Sequence, residues 1–294
     1  MRGYFLLAAS SRPVRFCFWL ATLMNETNFN HLKELIYHSS GIAFDYSDVA
    51  TLEHRLWPRV EALNLRTLDQ YIYYLQFDPN RHEEVQEMID CVVVTDTYFF
   101  REARALRAFQ EEILPELVEN DYGSRTLRVW SAGCATGEEA FTLAIALLET
   151  PYLRDWAVEV IGTDISSRAI KAAQEGRFRE PSFRAMDAAS RERYFTQQTD
   201  NSWLIDERLR QMVHFNIGNL AERRYINMLS DVDVILCRNV LTYFDDDSRR
   251  RTAERFQHQM RDGGYLILGA SESLVSLHTP LRLVHLKNDL AYQK

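Results

Sequence analysis

Residues 130–144, WSAGCATGEEAFTLA, carry the residue types best suited to holding a small molecule. Small side chains at Ala132, Gly133, Ala135 and Gly137 let a ligand approach the backbone, and the helix that follows offers free N–H groups. The spacing is not GxGxxG, which weakens a nicotinamide or flavin reading, and the absence of a P-loop lysine argues against a nucleotide triphosphatase. Glu138 and Glu139 open the helix. They suit a positively charged ligand and equally suit the helix dipole, so spacing alone leaves both readings standing. Asp164 ends the apolar run AVEVIGTD, about 30 residues after the turn. In doubly wound folds an acid at the tip of the second strand accepts hydrogen bonds from ribose hydroxyls. A turn that takes no phosphate, a ribose acid, and acids near a cation together suit S-adenosylmethionine, which has a ribose, a sulfonium and an amino-acid end.

Such residues need strand ends and helix starts to hold them. After Gly123 the sequence alternates between the two: TLRVWSAG, AVEVIGTD, VDVILCRN and GGYLILGASE read as strands, with EEAFTLAIALLE, SSRAIKAAQEG and RRRTAERFQHQM as helices between them. Continuous apolar strands separated by helices predict a parallel sheet covered on both faces. The stretch from Arg184 to Asn219 breaks the alternation and predicts a small inserted β subdomain at about 186–216. Upstream, the text is helical. Phe29, Leu32, Leu35 and Ile36 form one stripe with Gly41 as its stop, Leu52, Leu56, Val60 and Leu63 a second, and Tyr71, Tyr74 and Leu75 a third. Pro58 is expected to kink or shorten the second helix. Leu106–Glu119 reads as a connector. The expected divisions are a tail (1–23), a helical domain (24–103), a connector helix (104–124) and a cofactor-binding domain (125–294).

The first 23 residues hold two short apolar runs, FLLAA and FCFWLATL, split by Ser-Ser-Arg-Pro-Val-Arg. A secretory signal wants one unbroken apolar core of about 7–15 residues and a spanning helix about 20. The segment therefore reads as a disordered tail, or as an upstream extension with translation starting at Met24. The whole chain has 294 residues, 26% charged and 46% hydrophobic, with a net charge of −8. That balance suits a protein of about two domains and disfavours nucleic-acid binding or attachment to an anionic membrane. Cys17, Cys91, Cys134 and Cys237 are scattered, which makes a reducing cytoplasm the default. The eight histidines form no metal-binding pattern, and no metal is expected.

Four motifs in order, TDTYFFRE (95–102), VWSAGCATGEEAFTLA (129–144), FNIGNL (215–220) and DVILCRNVLTYFD (233–245), resemble the CheR-type chemoreceptor methyltransferases, and the similarity covers about residues 27 to 290. The resemblance implies a class I, Rossmann-like methyltransferase fold (α/β) with an N-terminal all-helical domain and a small inserted antiparallel β subdomain. It implies transfer of a methyl group from S-adenosylmethionine to receptor glutamates, with S-adenosylhomocysteine as the product. Carried over position by position, it assigns cofactor contacts to Thr97, Arg101, Gly133, Glu139 and Asp164. Asn219 and Leu220 would border the adenine, and Arg238 and Asn239 would lie at the end of the fourth-motif strand. Thr95 and Asp96 stand where the family commonly has Asn and Glu, and Thr95 is carried over as a cofactor contact. Arg101 and Tyr243 correspond to positions that face the methyl group and the substrate, and are the expected catalytic residues. Arg55, Arg59 and Arg66 would contact an acidic receptor helix.

The chemistry agrees with these residue types. A glutamate side chain has a pKa of about 4.3, so at neutral pH it is already a nucleophile and needs no general base. An arginine can hold the incoming carboxylate with a fork of hydrogen bonds, and a tyrosine hydroxyl can donate to it without adding charge. The competing structural readings are a domain-bridging ion pair for Arg101 and an ordinary strand-end aromatic for Tyr243. The expected partner is the cytoplasmic part of a chemoreceptor-like protein, met by a monomeric, cytoplasmic enzyme with no nucleic acid and no membrane insertion. Two other functions stay open at this stage: a different methyl acceptor, or a module that senses the cofactor and transfers nothing.

Overall fold

The computed structural model describes residues 24–121, 123–222 and 229–294, and the expected tail lies outside them. Four helices come first: α1 (Glu26–Ser40), α2 (Val49–Ala62), α3 (Leu68–Phe77) and α4 (Arg81–Val92). They follow the apolar stripes of the sequence, with Phe29, Leu32, Ile36, Leu52, Leu56 and Val60 fully buried between them. The Asn25 side chain caps α1 by accepting from the Asn28 N–H, and Gly41 ends it at φ 77°. Pro58 does not shorten α2, which runs on to Ala62. Leu52, Leu56 and Val60 lock both halves into the bundle, and that burial outweighs the one backbone hydrogen bond proline cannot make.

The connector is α5 (Ala103–Ala108) and α6 (Leu114–Glu119), joined by a π-helical stretch at Phe109–Ile113. Phe109, Ile113, Leu114 and Leu117 are all buried in one cluster with the strand residues Leu127 and Val129. The remaining helices are α7 (Glu138–Leu148), α8 (Ser167–Glu175), α9 (Ala188–Tyr194), α10 (Glu207–Met212) and α11 (Asp246–Gln259). The strands are β1 (Thr126–Ala132), β2 (Ala157–Asp164), β3 (Arg177–Phe178), β4 (Phe195–Gln197), β5 (Trp203–Ile205), β6 (Val213–Ile217), β7 (Val232–Cys237), β8 (Met260–Leu268), β9 (Arg282–His285) and β10 (Leu290–Gln293).

Seven strands form the main sheet in the order β6-β2-β1-β7-β8-β10-β9. The first five are parallel: the four strands expected from the sequence and, beside them, β6, with Val129 of β1 in register with Val160 of β2 and Val234 of β7. β10 pairs antiparallel with both β8 and β9 and so makes the sheet mixed. Residues alternate across the sheet, so Leu127 and Val129 face the α5–α7 side while Trp130 and Ala132 face α11 and the helical bundle. Strand order reverses at β1, and the crevice beyond the carboxyl ends of β1, β2 and β7 is where an α/β sheet offers a binding site.

The inserted piece is displaced from its expected range. Its sheet, β3-β5-β4, begins at Arg177, and residues 213–216, the end of the expected insert, belong to β6, an edge strand of the main sheet. His214, Asn216 and Ile217 are not buried, so β6 lacks the continuous apolar run that marks the other parallel strands. Phe99 plugs the small sheet from outside it. Its ring lies 4.8, 5.4 and 5.0 Å from those of Phe178, Phe183 and Phe195.

Candidate active site

A cleft of about 320 Å³ opens between the helical bundle and the head of the main sheet. Its floor is the β1–α7 turn. The Gly133 and Cys134 N–H groups both donate to the Thr163 carbonyl, at 2.7 and 2.9 Å, which folds the turn back over β2. Gly133 has φ 86°, and a Cβ there would stand 2.3 Å from the Val240 Cγ2. Both the dihedral and the close approach require glycine.

Two acids line this floor. Asp164, at the end of β2, accepts from the Ala135 N–H at 2.8 Å and from the Ser166 N–H at 2.9 Å. Burial pushes its carboxyl above the usual value, and those two donors oppose the shift. Glu139 accepts from the Ser131 hydroxyl at 2.7 Å and from Arg238 Nη1 at 3.1 Å. Burial raises it too, against the pull of Arg238 and Ser131. Glu138 does not line the cleft. It takes hydroxyl donors from Thr136 and Ser182, and so ties α7 to the turn before α9.

The opposite wall and the mouth come from motifs 95–102 and 233–245. Thr97, Arg101, Asn239 and Tyr243 all line the cleft, as do Gly133, Glu139, Asp164, Asn219, Leu220 and Arg238. Thr95 does not; Val94 and Asp96 on either side of it face the cleft, and the chain turns Thr95 away between them. Arg101 Nη1 donates to the Asp96 carbonyl at 2.9 Å, and its Nε stands 3.9 Å from the Glu102 carboxylate. Arg101 is thus braced by its own loop, not by a domain-bridging ion pair. Tyr243, 38% exposed, sits in a single helical turn at the mouth, where its carbonyl accepts from the Ala43 N–H of the bundle at 2.9 Å. Asn219 spends its side chain on the Ser39 carbonyl (2.9 Å) and the Ala221 N–H (2.8 Å), joining α1 to the sheet.

The three arginines expected to contact a receptor helix separate. Arg55 lines the cleft and donates to the Val92 carbonyl at 2.5 Å. Arg59 points into the bundle, with its Nε at 2.8 Å and Nη2 at 2.6 Å from the two carboxylate oxygens of buried Glu84, which also accepts from Tyr71 at 2.8 Å. This pair braces the bundle from inside. Arg66 lies beyond the end of α2, exposed, and shares no stripe with the other two.

Two site residues escape the sequence reading. Glu102 adopts a left-handed conformation at φ 54°, accepts from the Ala270 N–H at 3.2 Å and stands 3.5 Å from Arg238. Glu272 accepts from the Asn239, Gly269 and Thr242 N–H groups at 2.8, 2.8 and 3.0 Å, and so shapes the loop that carries Tyr243. The only sequence signal for Glu272 is its place after a glycine at a strand end. Among the described residues, no group of three His, Cys, Asp or Glu side chains could hold a metal ion, and no helix is long and apolar enough to cross a membrane.

Two family models match the chain. The all-alpha domain of CheR methyltransferases matches residues 27–93, and their SAM binding domain matches residues 95–289. A chemotaxis protein methyltransferase 2 of Vibrio cholerae is 34% identical over 273 residues, covering 92% of this chain and 94% of that protein. A chemotaxis protein methyltransferase of Borreliella burgdorferi is 29% identical over 257 residues, covering 85% and 89%. Chemotaxis protein methyltransferase 1 of Pseudomonas aeruginosa is 27% identical over 271 residues, covering 90% and 97%.

Proposed function

The chain belongs to the CheR methyltransferase family and is an S-adenosylmethionine-dependent methyltransferase of chemotaxis, and we propose that its acceptor is the glutamate side chain of a chemoreceptor-type protein, converted to a methyl ester. One observation supports this reading: Arg101 and Tyr243 both line the cleft that two carboxyls, Glu139 and Asp164, also line. The floor suits the cofactor and the mouth suits a carboxylate.

The floor fits S-adenosylmethionine on three grounds. Gly133 keeps the turn open where a Cβ would collide with Val240. Asn239, a cleft residue, has a buried Oδ1 with no partner among the described residues and can accept from an amino group or a hydroxyl. Glu139 and Asp164 are both raised by burial, the condition in which a nearby cation or hydroxyl donor is most favourable to a carboxylate. In this reading Asp164 would hold the ribose, Glu139 and Asn239 would take the amino-acid end, and Leu220 would border the adenine. When bound, the cofactor supplies an electrophilic methyl group. Arg101 orients the incoming carboxylate through its fork of donors, and Tyr243 donates to the same group without placing a second charge beside the sulfonium. Because an ionised glutamate is already nucleophilic, the residues have to position it and exclude water, and no proton need be removed.

The test is incubation with labelled S-adenosylmethionine and receptor cytoplasmic fragments, followed by alkali. Methanol released from esters is the expected result, and label stable to alkali would overturn the glutamate assignment. Arg101→Ala and Tyr243→Phe are expected to lower turnover far more than affinity for S-adenosylhomocysteine. Parent-like transfer by either variant would remove that residue from its role.

A further inference from the structure

We propose that Arg184, which no motif of the cofactor site contains, is a positioning residue for Arg101. The inference rests on the methyl-transfer reading given above and deepens it. Arg184 follows the turn Glu180–Phe183, between β3 and α9 of the inserted piece. Its guanidinium lies over the Tyr98 ring, 3.8 Å from the centroid, and its Nη2 stands 3.2 and 3.3 Å from the two carboxylate oxygens of Asp96. The Arg101 guanidinium lies 5.6 Å from the centroid of the same ring. Its Nη1 donates to the carbonyl of the same aspartate. Arg184 and Arg101 therefore share both partners, a ring and an aspartate.

That arrangement has a mechanical consequence. The Asp96 side chain is largely exposed and pairs with Arg184. A cation stacked on an aromatic face and paired to a carboxylate restricts both groups at once. The same two segments are pinned a second time, by the Phe99 N–H donating to the Ser182 carbonyl at 2.9 Å and by the stacked rings of Phe99 and Phe183. Phe99 anchors the backbone of the loop, while Arg184 fixes the end of it that braces Arg101. The small sheet thereby supports the residue that receives the acceptor carboxylate.

Arg184→Ala, Arg184→Lys, Tyr98→Phe and Tyr98→Ala test the proposal in the full chain. Arg184→Ala and Tyr98→Ala are expected to lower kcat for methyl transfer about ten-fold, the scale of a modest misplacement of a positioned group. In Arg184→Ala, affinity for S-adenosylhomocysteine should stay within about two-fold of the parent, since Arg184 does not line the cleft. Arg184→Lys, which keeps a cation for Asp96, and Tyr98→Phe, which keeps the ring, should recover most of the loss. Parent-like kcat in Arg184→Ala, or an equal loss of cofactor affinity, would overturn the proposal. A second readout does not depend on activity: the Nε–H resonance of Arg101, assigned by its disappearance in Arg101→Lys. With S-adenosylhomocysteine bound it should be ordered in the parent and averaged in Arg184→Ala, and an unchanged signal would overturn the proposal even if no acceptor is methylated. A parent that methylates no receptor fragment would instead overturn the glutamate reading.

Discussion

Arg238 reaches Glu139 across the head of the sheet, Nη1 to Oε2 at 3.1 Å, with only 2% of its side chain exposed. The same guanidinium donates to the Arg101 carbonyl, so one buried cation links the strand β7, the start of α7 and the loop of the first motif. A cation this enclosed holds Glu139 in the cleft but does not cancel the cost of burying its charge, and the carboxyl stays raised above its ordinary value of 4.5.

From this follows a pH dependence. Glu139 and Asp164 both have raised pKa values in the folded chain. A raised acid contributes stability at low pH, and that contribution is lost as pH rises through its folded pKa. A ligand that brings a cation to Glu139 and hydroxyl donors to Asp164 favours the charged forms, lowers both pKa values and releases protons on binding. Affinity for S-adenosylhomocysteine should therefore fall as pH drops from neutrality into the raised carboxylate range. Calorimetry in buffers of different ionisation enthalpy should register proton release. Glu139→Gln should bind more weakly near neutral pH and with a flatter pH dependence; an unchanged slope would show that Glu139 is not the titrating group.

The turn at Gly133 makes a separable prediction. An alanine there meets two obstacles, a left-handed backbone at φ 86° and a Cβ 2.3 Å from Val240. The dihedral alone costs about 1–3 kcal/mol, and the overlap adds to it. Gly133→Ala should lower thermal stability and cofactor affinity together. Combining it with Val240→Ala should return the steric part only, leaving the backbone part in place. Full recovery in the double variant would mean that the glycine serves close approach and not conformation.

These contrasts show what a linear sequence can carry. Gly133, Glu139 and Asp164 were legible because a strand end, a turn and a helix start lie close together in the chain, and their periodicity places them. Arg55, Arg59 and Arg66 separate because a helix has more than one face and Arg66 lies past its end. Arg59 turns inward to Glu84, a residue 25 positions away whose burial no local pattern marks. β6 falls inside the expected insert because its edge position leaves His214 and Asn216 exposed, without the apolar run that marks the other parallel strands. The pair β9 and β10 went unread for a related reason: only Ala291 and Tyr292 among their residues are buried. Glu102 and Glu272 act through backbone groups far along the chain, and no spacing announces such a contact.

Arg59 accordingly belongs to stability. It forms a two-point pair with Glu84, whose side chain is 5% exposed, and Tyr71 adds its hydroxyl to the same carboxylate. Removing the cation leaves a buried carboxylate with one donor, a change that typically costs about 3 kcal/mol or more. Arg59→Ala should lower the melting temperature markedly while leaving the KM for the acceptor near the parent value, measured below the unfolding transition. Arg59→Met combined with Glu84→Gln should recover much of the stability. A selective rise in acceptor KM with no change in melting would return Arg59 to the receptor surface.

Glu272 offers a graded test of how the loop bearing Tyr243 is held. Its Oε2 accepts from the Asn239 and Gly269 N–H groups, and its Oε1 from that of Thr242. Gly269 is needed beside it, because a Cβ there would stand 2.8 Å from Oε2 and 2.9 Å from the Asn239 nitrogen. Glu272→Gln keeps an oxygen for Asn239 and Gly269 but presents an NH2 to the Thr242 N–H, so one donor is lost. Glu272→Ala loses all three, and hydrogen bonds to a charged acceptor contribute about 1.5–3 kcal/mol each, short of additive. Amide exchange should follow that order: only Thr242 speeds up in the glutamine variant, and Asn239, Thr242 and Gly269 all speed up in the alanine variant. Turnover should fall in the same sequence, because Tyr243 is the next residue after Thr242 and depends on that amide for its place at the mouth. If exchange at Thr242 accelerated with no change in turnover, the position of Tyr243 would be set by its carbonyl bond to the Ala43 N–H of the helical bundle instead.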